Sequence, residues 1–226
     1  MSGASTPEAA VVDTLTLIAD SFIAVQTLNH FGLAPDAPSA EDIWEVIRIG
    51  GERTLHWRRT YHLLEELVED PPERVFVPAE ERYLPVYREA LADWLEMLVF
   101  ESTVGCMERL WLEETFGTIN EDWKKLGRAI WEEKENHLIY ARSRLYAACT
   151  EKANRRAAQK ALGRILPAIR DTLAAIPDGA AYRDAGMRTR DGAVLWDTLA
   201  NELGPELEGM DLDPGEAAWQ LAGREG

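Results

Sequence analysis

The sequence predicts an all-α fold, built as an antiparallel bundle of long helices. Three observations lead to this prediction. Apolar residues recur at helical spacing over most of the chain, strand signals are scarce, and the links between the periodic segments are short and contain proline and glycine. Long helices joined by short links pack most simply as antiparallel neighbours.

Six helices are expected, and two of them have a recognisable start. Ser39 is a suitable N-cap for the second helix, and Asn120 for the fourth. The segment "IPDGAAYRDAGMRTRDG" reads as a long turn region before the last helix. We expect a disordered start over 1–8, a helical bundle over 9–175 and a C-terminal helical extension over 176–226 packed on the bundle. The predicted helices span residues 9–31, 40–68, 84–115, 121–150, 152–175 and 192–207.

Composition excludes some classes of partner and indicates a cellular compartment. The chain has 226 residues, 46% of them hydrophobic, and a net charge of −16, which disfavours nucleic acid and anionic membranes as ligands. No apolar run is long enough to cross a membrane, and the N-terminus does not resemble a secretory signal. Cys106 and Cys149 fall in predicted helices and are expected to be reduced core thiols, which favours a cytoplasmic protein.

Two short stretches share one pattern of ionisable residues. In "GERTLH" Glu52 precedes His56 by four residues, and in "EEKENH" Glu133 precedes His137 by four. Each glutamate and histidine of the first stretch lies 81 residues before its counterpart in the second. Residues four apart share one face of a helix, so each stretch can present both side chains to one place.

The same spacing extends to two further acidic residues. Glu52 follows Asp20 by 32 residues, and Glu133 follows Glu101 by 32. The first and second helices therefore look like one copy of a helical hairpin, and the third and fourth like a second copy.

The pattern is typical of a metal site inside a helical bundle. Di-iron and di-manganese bundles take a carboxylate from each of two helices and a Glu and His one turn apart from each of two others. Glutamates and histidines in line with apolar stripes are expected to be buried, and buried charges need partners or a metal. Glu108, two turns after Glu101, is a spare candidate. The predicted metal ligands are Asp20, Glu52, His56, Glu101, Glu133 and His137.

Two basic residues leave other interpretations open. Arg53 and Lys134 lie three residues before His56 and His137, and both are close to apolar stripes. A buried cation at these positions would neutralise Glu101 or Asp20 without any metal, giving a core held by salt bridges. In a third interpretation, each histidine pairs with the glutamate four residues before it on a solvated helix face.

Several stretches resemble a known family. "GGERTLHWRRTYHLLEEL", "LGRAIWEEKENHLIYARSRL" and "AAQKALGRILPAI" resemble the ferritin-like components of bacterial phenylacetyl-CoA 1,2-epoxidase. The tail "YRDAGMRTRDGAVLWDTLANELGPELEGMDLDP" resembles the end of the catalytic subunit of that enzyme. The resemblance covers about residues 15–215 in order. It implies a ferritin-like antiparallel four-helix bundle core with additional C-terminal helices.

The resemblance also implies roles for individual residues. The catalytic subunits of the family hold a non-haem di-iron centre, and a paralogous structural subunit lacks a working one. His56 and His137 match the two family histidines, and Glu101 matches the third-helix carboxylate. Arg53 and Lys134 stand where the family has its ligand glutamates. The first-helix carboxylate would fall near Ser21 or Phe22, so that Asp20 is a near neighbour.

Two functions follow as expectations. The first is a di-iron monooxygenase component with an atypical metal site. It would bind one or two irons, take electrons from a reductase and act on an aromatic or acyl substrate linked to CoA. The second is a metal-free structural or regulatory paralogue that scaffolds an epoxidase-like partner. In both cases we expect a homo- or hetero-oligomer, with a paralogous subunit as a partner.

Overall fold

The fold was analysed in a computed structural model, which describes residues 6–25, 29–116, 121–213 and 215. These residues form helices and connecting segments and contain no strand, so the all-α prediction is confirmed. Three short 3-10 turns lie in the connections, at Ala34–Asp36, Ala79–Glu81 and Pro85–Arg88. The α-helices are α1 (Pro7–Val25), α2 (Phe31–Leu33), α3 (Ala40–Leu67), α4 (Trp94–Glu114), α5 (Glu121–Cys149), α6 (Lys152–Ala175), α7 (Ala180–Asp184) and α8 (Gly192–Gly209).

Helix boundaries differ from the prediction where a local cap or a proline decides them. The helix expected from residue 84 begins at Trp94, because the Asp93 side chain accepts a hydrogen bond from Glu96 N at 2.8 Å and caps it. Ser39 caps α3 as predicted, accepting from Asp42 N at 3.1 Å.

The start of the chain and the C-terminal turn region also differ in detail. Helix α1 begins at Pro7, so residues 7 and 8 are helical rather than part of a disordered start. Helix α7 lies inside the region predicted as a turn. Residues 1–5 and the predicted cap Asn120 lie outside the described residues, as do residues 26–28 of the predicted first helix.

The long helices pack in the two pairs that the 32-residue spacing predicts. Helix α1 packs along α3, and α4 packs along α5. The α4/α5 pair is antiparallel, since Arg109 Nε lies 3.0 Å from Glu135 Oε1 and Trp131 Nε1 donates to Glu113 Oε1 at 3.0 Å. Helices α3 and α5 face each other and bring the two hairpins together.

Helix α4 occupies the centre of the molecule. Most of its residues are buried, because α5, α6 and α8 all pack against it. Helix α8 also packs closely on α6: a Cβ at Gly192 would lie 2.5 Å from the carbonyl oxygen of Leu173. Helix α8 therefore packs against both α4 and α6.

Two sequence-level expectations are tested directly by the fold. Among the described residues, no helix is both long enough and apolar enough to cross a membrane. Cys106 and Cys149 are buried free thiols, as predicted from their helical positions.

Candidate functional site

Arg53 lies at the centre of the molecule. It belongs to the buried face of α3, on which Val46 lies two turns before it and Thr60 two turns after it. Its side chain is fully buried. Its Nη2 donates to Glu101 Oε2 at 2.7 Å, and its Nη1 donates to Glu108 Oε2 at 3.0 Å and to Oε1 at 3.3 Å. The guanidinium therefore joins α3 to two carboxylates of α4 that lie two helical turns apart.

Lys134 completes this arrangement from the opposite hairpin. It is buried on α5, and its Nζ donates to Glu108 Oε2. Tyr87 donates its hydroxyl to Glu108 Oε1 at 2.8 Å. We call Arg53, Glu101, Glu108 and Lys134 the buried ion network. Two cations face two carboxylates in it, so that its formal charges cancel.

Mutual attraction keeps the network charged despite its burial. Burial works to raise the pKa of Glu108, but the charges of Arg53 and Lys134 outweigh it and hold that pKa at about 2. Burial opposes ionisation of Glu101 too, yet Arg53 lowers the pKa of this carboxyl. Burial and the nearby Arg53 lower the pKa of Lys134 to about 8, while Glu108 opposes them. At neutral pH the lysine is therefore mostly protonated and both carboxylates are ionised.

The two Glu/His motifs pair across helices rather than within them. His137 Nε2 lies 2.6 Å from Glu52 Oε2, and His56 Nε2 contacts Glu133 Oε2. Each glutamate thus bonds the histidine of the other helix and not the one four residues after it. The glutamates were expected to be buried, but the side chains of Glu52 and Glu133 are 26% and 40% exposed.

Both histidines are neutral at physiological pH. Burial lowers the pKa of His56 to about 2, and the positive charge of Lys134 adds to this effect. Burial also lowers the pKa of His137, although the hydrogen bond to Glu52 opposes it. A neutral imidazole that bonds a carboxylate through Nε2 carries its proton there. The Nδ1 atoms of both rings are buried and have no hydrogen-bond partner.

Asp20 lies outside this group and has another role. Its Oδ1 accepts from Arg74 Nε at 2.7 Å and from Arg82 Nη1 at 3.0 Å, and its Oδ2 accepts from Tyr83 N at 3.2 Å. These contacts fasten the proline-containing link between α3 and α4 to the side of α1. The 32-residue spacing does not bring Asp20 to the other predicted ligands.

The residue of α1 that lies next to the buried ion network is Phe22. The ring of Phe22 lies 5.4 Å, centroid to centroid, from that of His56, and Lys134 Nζ is 5.2 Å from the Phe22 centroid. An ammonium over an aromatic face is attracted by the ring quadrupole. The region in which the resemblance places a first-helix carboxylate thus presents an apolar ring.

Sequence reasoning missed two residues that contact the buried ion network. Tyr87 lies in a 3-10 turn outside any helical periodicity, so nothing in the sequence indicated its bond to Glu108. His30 was expected to end the first helix, whereas it is buried with its Nε2 3.4 Å from Glu101 Oε1. Glu108, the spare candidate, is a full member of the network.

The arrangement does not fit the two-metal centre that the resemblance implies. Glu101 and Glu108 accept hydrogen bonds from cations, and Glu52 and Glu133 bind the outer nitrogens of the histidines. Two divalent ions at this place would stand beside Arg53, whose guanidinium does not lose its proton in proteins. Within the described ranges, no group of three or more His, Cys, Asp or Glu side chains is arranged to hold a metal ion.

Comparison with known proteins adds no family to this description. No protein-family model matches the chain, and no curated protein sequence matches it significantly.

Proposed function

We propose that this chain is a metal-free structural or regulatory component with a ferritin-like bundle, comparable to the non-catalytic subunit of the family it resembles. The observation that carries the proposal is the inward position of Arg53 and Lys134, each bonded to carboxylates of α4. The pairing of α1 with α3 and of α4 with α5, joined through α3 and α5, supports the bundle assignment.

Charge balance is the physical basis of the proposal. A di-metal centre needs carboxylates whose negative charge is free to offset the metal ions. Here Arg53 and Lys134 already offset Glu101 and Glu108. Since Arg53 stays protonated at any pH at which the protein folds, its charge cannot be removed to admit a metal. The two positions that match ligand glutamates thus carry the groups least compatible with coordination.

The network gives the core a fixed arrangement in place of a catalytic centre. Arg53 bonds α3 to α4, and Lys134 bonds α5 to α4. Buried ion pairs contribute little net stability compared with well-packed apolar residues, but in some proteins they select one arrangement of helices over others. A fixed arrangement of helices also fixes the outer surface of the bundle. A component that scaffolds a partner needs such a defined surface more than it needs an internal reaction site.

One observation favours a second candidate, an oxygenase component with a remodelled centre. Histidines that bind metals usually donate their second ring N–H to a carboxylate. His56 and His137 do so through Nε2, and both keep an unpartnered, buried Nδ1. In this candidate Glu52 and Glu133 would orient the histidines, and the Nδ1 atoms would hold iron with Glu101. Bound iron would supply dioxygen activation, with electrons from a reductase and an aromatic or acyl CoA thioester as substrate.

Metal content after anaerobic loading distinguishes the two candidates. Iron, manganese and zinc per chain are measured by elemental analysis after exposure to Fe(II), for the wild type and for His56→Ala/His137→Ala. We expect no stoichiometric metal in either protein. About two irons per wild-type chain, lost in the histidine variant, would establish the oxygenase candidate and reject the metal-free one.

A gain-of-binding variant makes a negative result informative. Arg53→Glu/Lys134→Glu places a carboxylate three residues before each histidine, as di-iron bundles do. We expect this variant to take up iron that the wild type does not, with helicity by circular dichroism confirming that it folds. Arg53→Met/Lys134→Met removes the same cations without adding donors, and is the matched control that is expected to stay metal-free.

The scaffold role itself is tested by identifying the proteins that co-purify with this chain. Affinity purification from its own host should recover a paralogous chain that contains iron. Recovery of a reductase with this chain alone, and of no iron-containing paralogue, would contradict the scaffold role.

A further inference from the structure

The face of α3 that points away from Arg53 is apolar and exposed. Trp44, Ile47 and Leu55 on this face are 61%, 47% and 54% exposed. Together with Gly51 and the exposed Arg58 they follow one another at intervals of three or four residues. We call Trp44, Ile47, Gly51, Leu55 and Arg58 the outer stripe. A monomeric protein gains nothing by exposing three large apolar side chains in one row.

Gly51, at the middle of the outer stripe, has no explanation inside the chain. A glycine within a helix costs up to about 1 kcal/mol relative to alanine. Its neighbour Gly50 is needed, because a Cβ there would lie 2.8 Å from the His30 Cβ. A Cβ at Gly51 would meet nothing within 4 Å, and its backbone has no positive φ that would require glycine. A gap on an exposed helix face lets a second helix approach closely.

The outer stripe is arranged symmetrically about Gly51. Trp44 lies seven residues before Gly51 and Arg58 seven after it, while Ile47 lies four before and Leu55 four after. If two such helices pack antiparallel about a twofold axis at Gly51, Ile47 of each copy meets Leu55 of the other. Trp44 of each copy then meets Arg58 of the other. An isologous interface has this property, since each half contacts the other half of the same surface.

A groove lies at the C-terminal end of the outer stripe, where Arg58 is one of its lining residues. The groove has a volume of about 270 Å³. Its lining combines the aromatic rings of Trp57 and Tyr61 with polar side chains. Arg58 on its edge offers a guanidinium that stacks on aromatic faces. Antiparallel pairing directs Trp44 of one copy to the groove of the other. The groove is lined by Trp57, Arg58, Tyr61, His62, Glu65 and Glu73.

Charges beside the outer stripe favour the same orientation. Glu41 is exposed near its N-terminal end, where it also lies 3.3 Å from Arg144, and the exposed Arg59 lies near its C-terminal end on the same side of the helix. Antiparallel pairing brings Glu41 of one copy towards Arg59 of the other. Parallel pairing would place Glu41 beside Glu41 and Arg59 beside Arg59, which repels.

We propose that a second copy of this chain docks on the outer stripe, with α3 packed antiparallel against α3 about a twofold axis at Gly51. The proposal does not rest on the metal content of the core. The outer stripe, from Trp44 to Arg58, is about 21 Å long at 1.5 Å per residue, which is the length of a single helix-to-helix contact. Such a contact falls at the small end of specific interfaces, and we expect a dissociation constant on the order of micromolar.

Sedimentation velocity of the full chain over a range of concentrations tests the proposal. We expect a monomer–dimer equilibrium that Trp44→Asp and Gly51→Glu each weaken by at least about tenfold, because a charge is buried in a contact centre. Ile139→Asp is the matched control, since Ile139 is an exposed apolar residue on α5, outside the stripe. It should leave the dimer unchanged, and circular dichroism should show all three variants folded.

Cross-linking tests the twofold axis itself. The native Cys106 and Cys149 are buried and leave the surface free of thiols. Under mild oxidation Gly51→Cys should form a covalent dimer, because residues on a twofold axis at a close helix contact come within disulfide reach. Ile139→Cys, the control, should not. The measurements are made at about 0.15 M salt to screen the repulsion between acidic chains.

Three results would overturn the proposal. The wild type could remain monomeric at every concentration, or it could form a dimer that Trp44→Asp and Gly51→Glu do not affect. Alternatively, the stripe variants could leave self-association unchanged and abolish recovery of a paralogous chain, in which case the stripe binds that chain. The metal analysis is unaffected by any of these results, so failure here is distinguishable from failure of the proposed function.

Discussion

Arg53→Met is the most direct test of the buried ion network. Methionine retains the length of the aliphatic stem and removes the guanidinium. Glu108 keeps its hydrogen bonds from Lys134 and Tyr87. Glu101, in contrast, loses the guanidinium that donates to it at 2.7 Å and keeps it ionised. The substitution thus leaves Glu101 buried without the Arg53 charge, close to the second carboxylate, Glu108.

The expected cost is large relative to the stability of a single domain. Breaking a buried ion pair by removing one partner costs about 3–5 kcal/mol. A typical domain is stable by about 5–15 kcal/mol. We therefore expect Arg53→Met to lose about a fifth or more of the free energy of unfolding. Adding Glu101→Gln, which removes the orphaned charge, should restore at least about 1 kcal/mol.

Urea unfolding followed by circular dichroism measures these differences. Arg48→Met is the control, because Arg48 bonds Glu45 and Glu52 at the partly exposed surface of the same helix. A surface pair of this kind contributes less than about 1 kcal/mol. If Arg53→Met were no more destabilising than Arg48→Met, or if Glu101→Gln brought no recovery, the ion network would not hold the core as described.

Three further predictions test other parts of the structure. The folded-state pKa of Glu108 is about 2, below its ordinary value of 4.5. Its ionised form therefore stabilises the fold fully above pH 4.5, and this stabilisation is lost as the pH falls towards 2. Urea titrations should find Glu108→Gln less stable than the wild type by about 3 kcal/mol at pH 6, with the difference shrinking towards pH 2; a constant difference would contradict the assigned cause. Asp20→Asn should loosen the link between α3 and α4, which limited proteolysis would detect as faster cleavage within residues 69–93, whereas equal cleavage rates would show that other contacts hold the link. Gly51→Ala should raise the stability of the monomer by about 0.5–1 kcal/mol while Gly50→Ala lowers it, and thermal unfolding at low concentration should separate the two; the same sign at both positions would mean that packing against His30 does not decide the effect.

The helical class, the main helices and the two-hairpin arrangement were predictable from the sequence. Helical periodicity is local, and Ser39 and the proline-containing links mark boundaries through contacts of a few residues. The 32-residue spacing between Asp20 and Glu52 indicated correctly that α1 pairs with α3 and α4 with α5. It failed for Asp20 itself, because a shared spacing fixes the register of two helices but not which way one side chain turns.

The composition of the site was only partly predictable. Glu101, His56 and His137 were named, and the structure places all three in the core. Whether each glutamate bonds its own histidine or that of the other helix could not be read from spacing, because both partners are within reach of a flexible side chain. Tyr87 reaches Glu108 from a turn without periodicity, and such contacts depend only on how distant segments meet.

By itself, the sequence determined that this protein is helical, that Glu/His motifs recur 81 residues apart, and that a cation stands three residues before each histidine. It left open whether those cations point inward to a carboxylate, away from a metal site, or into water. The tertiary structure decided this, turning Arg53 and Lys134 inward to Glu101 and Glu108. The physical reason is that helical periodicity assigns a residue to a face, while the charge it meets there is supplied by helices far away in the sequence.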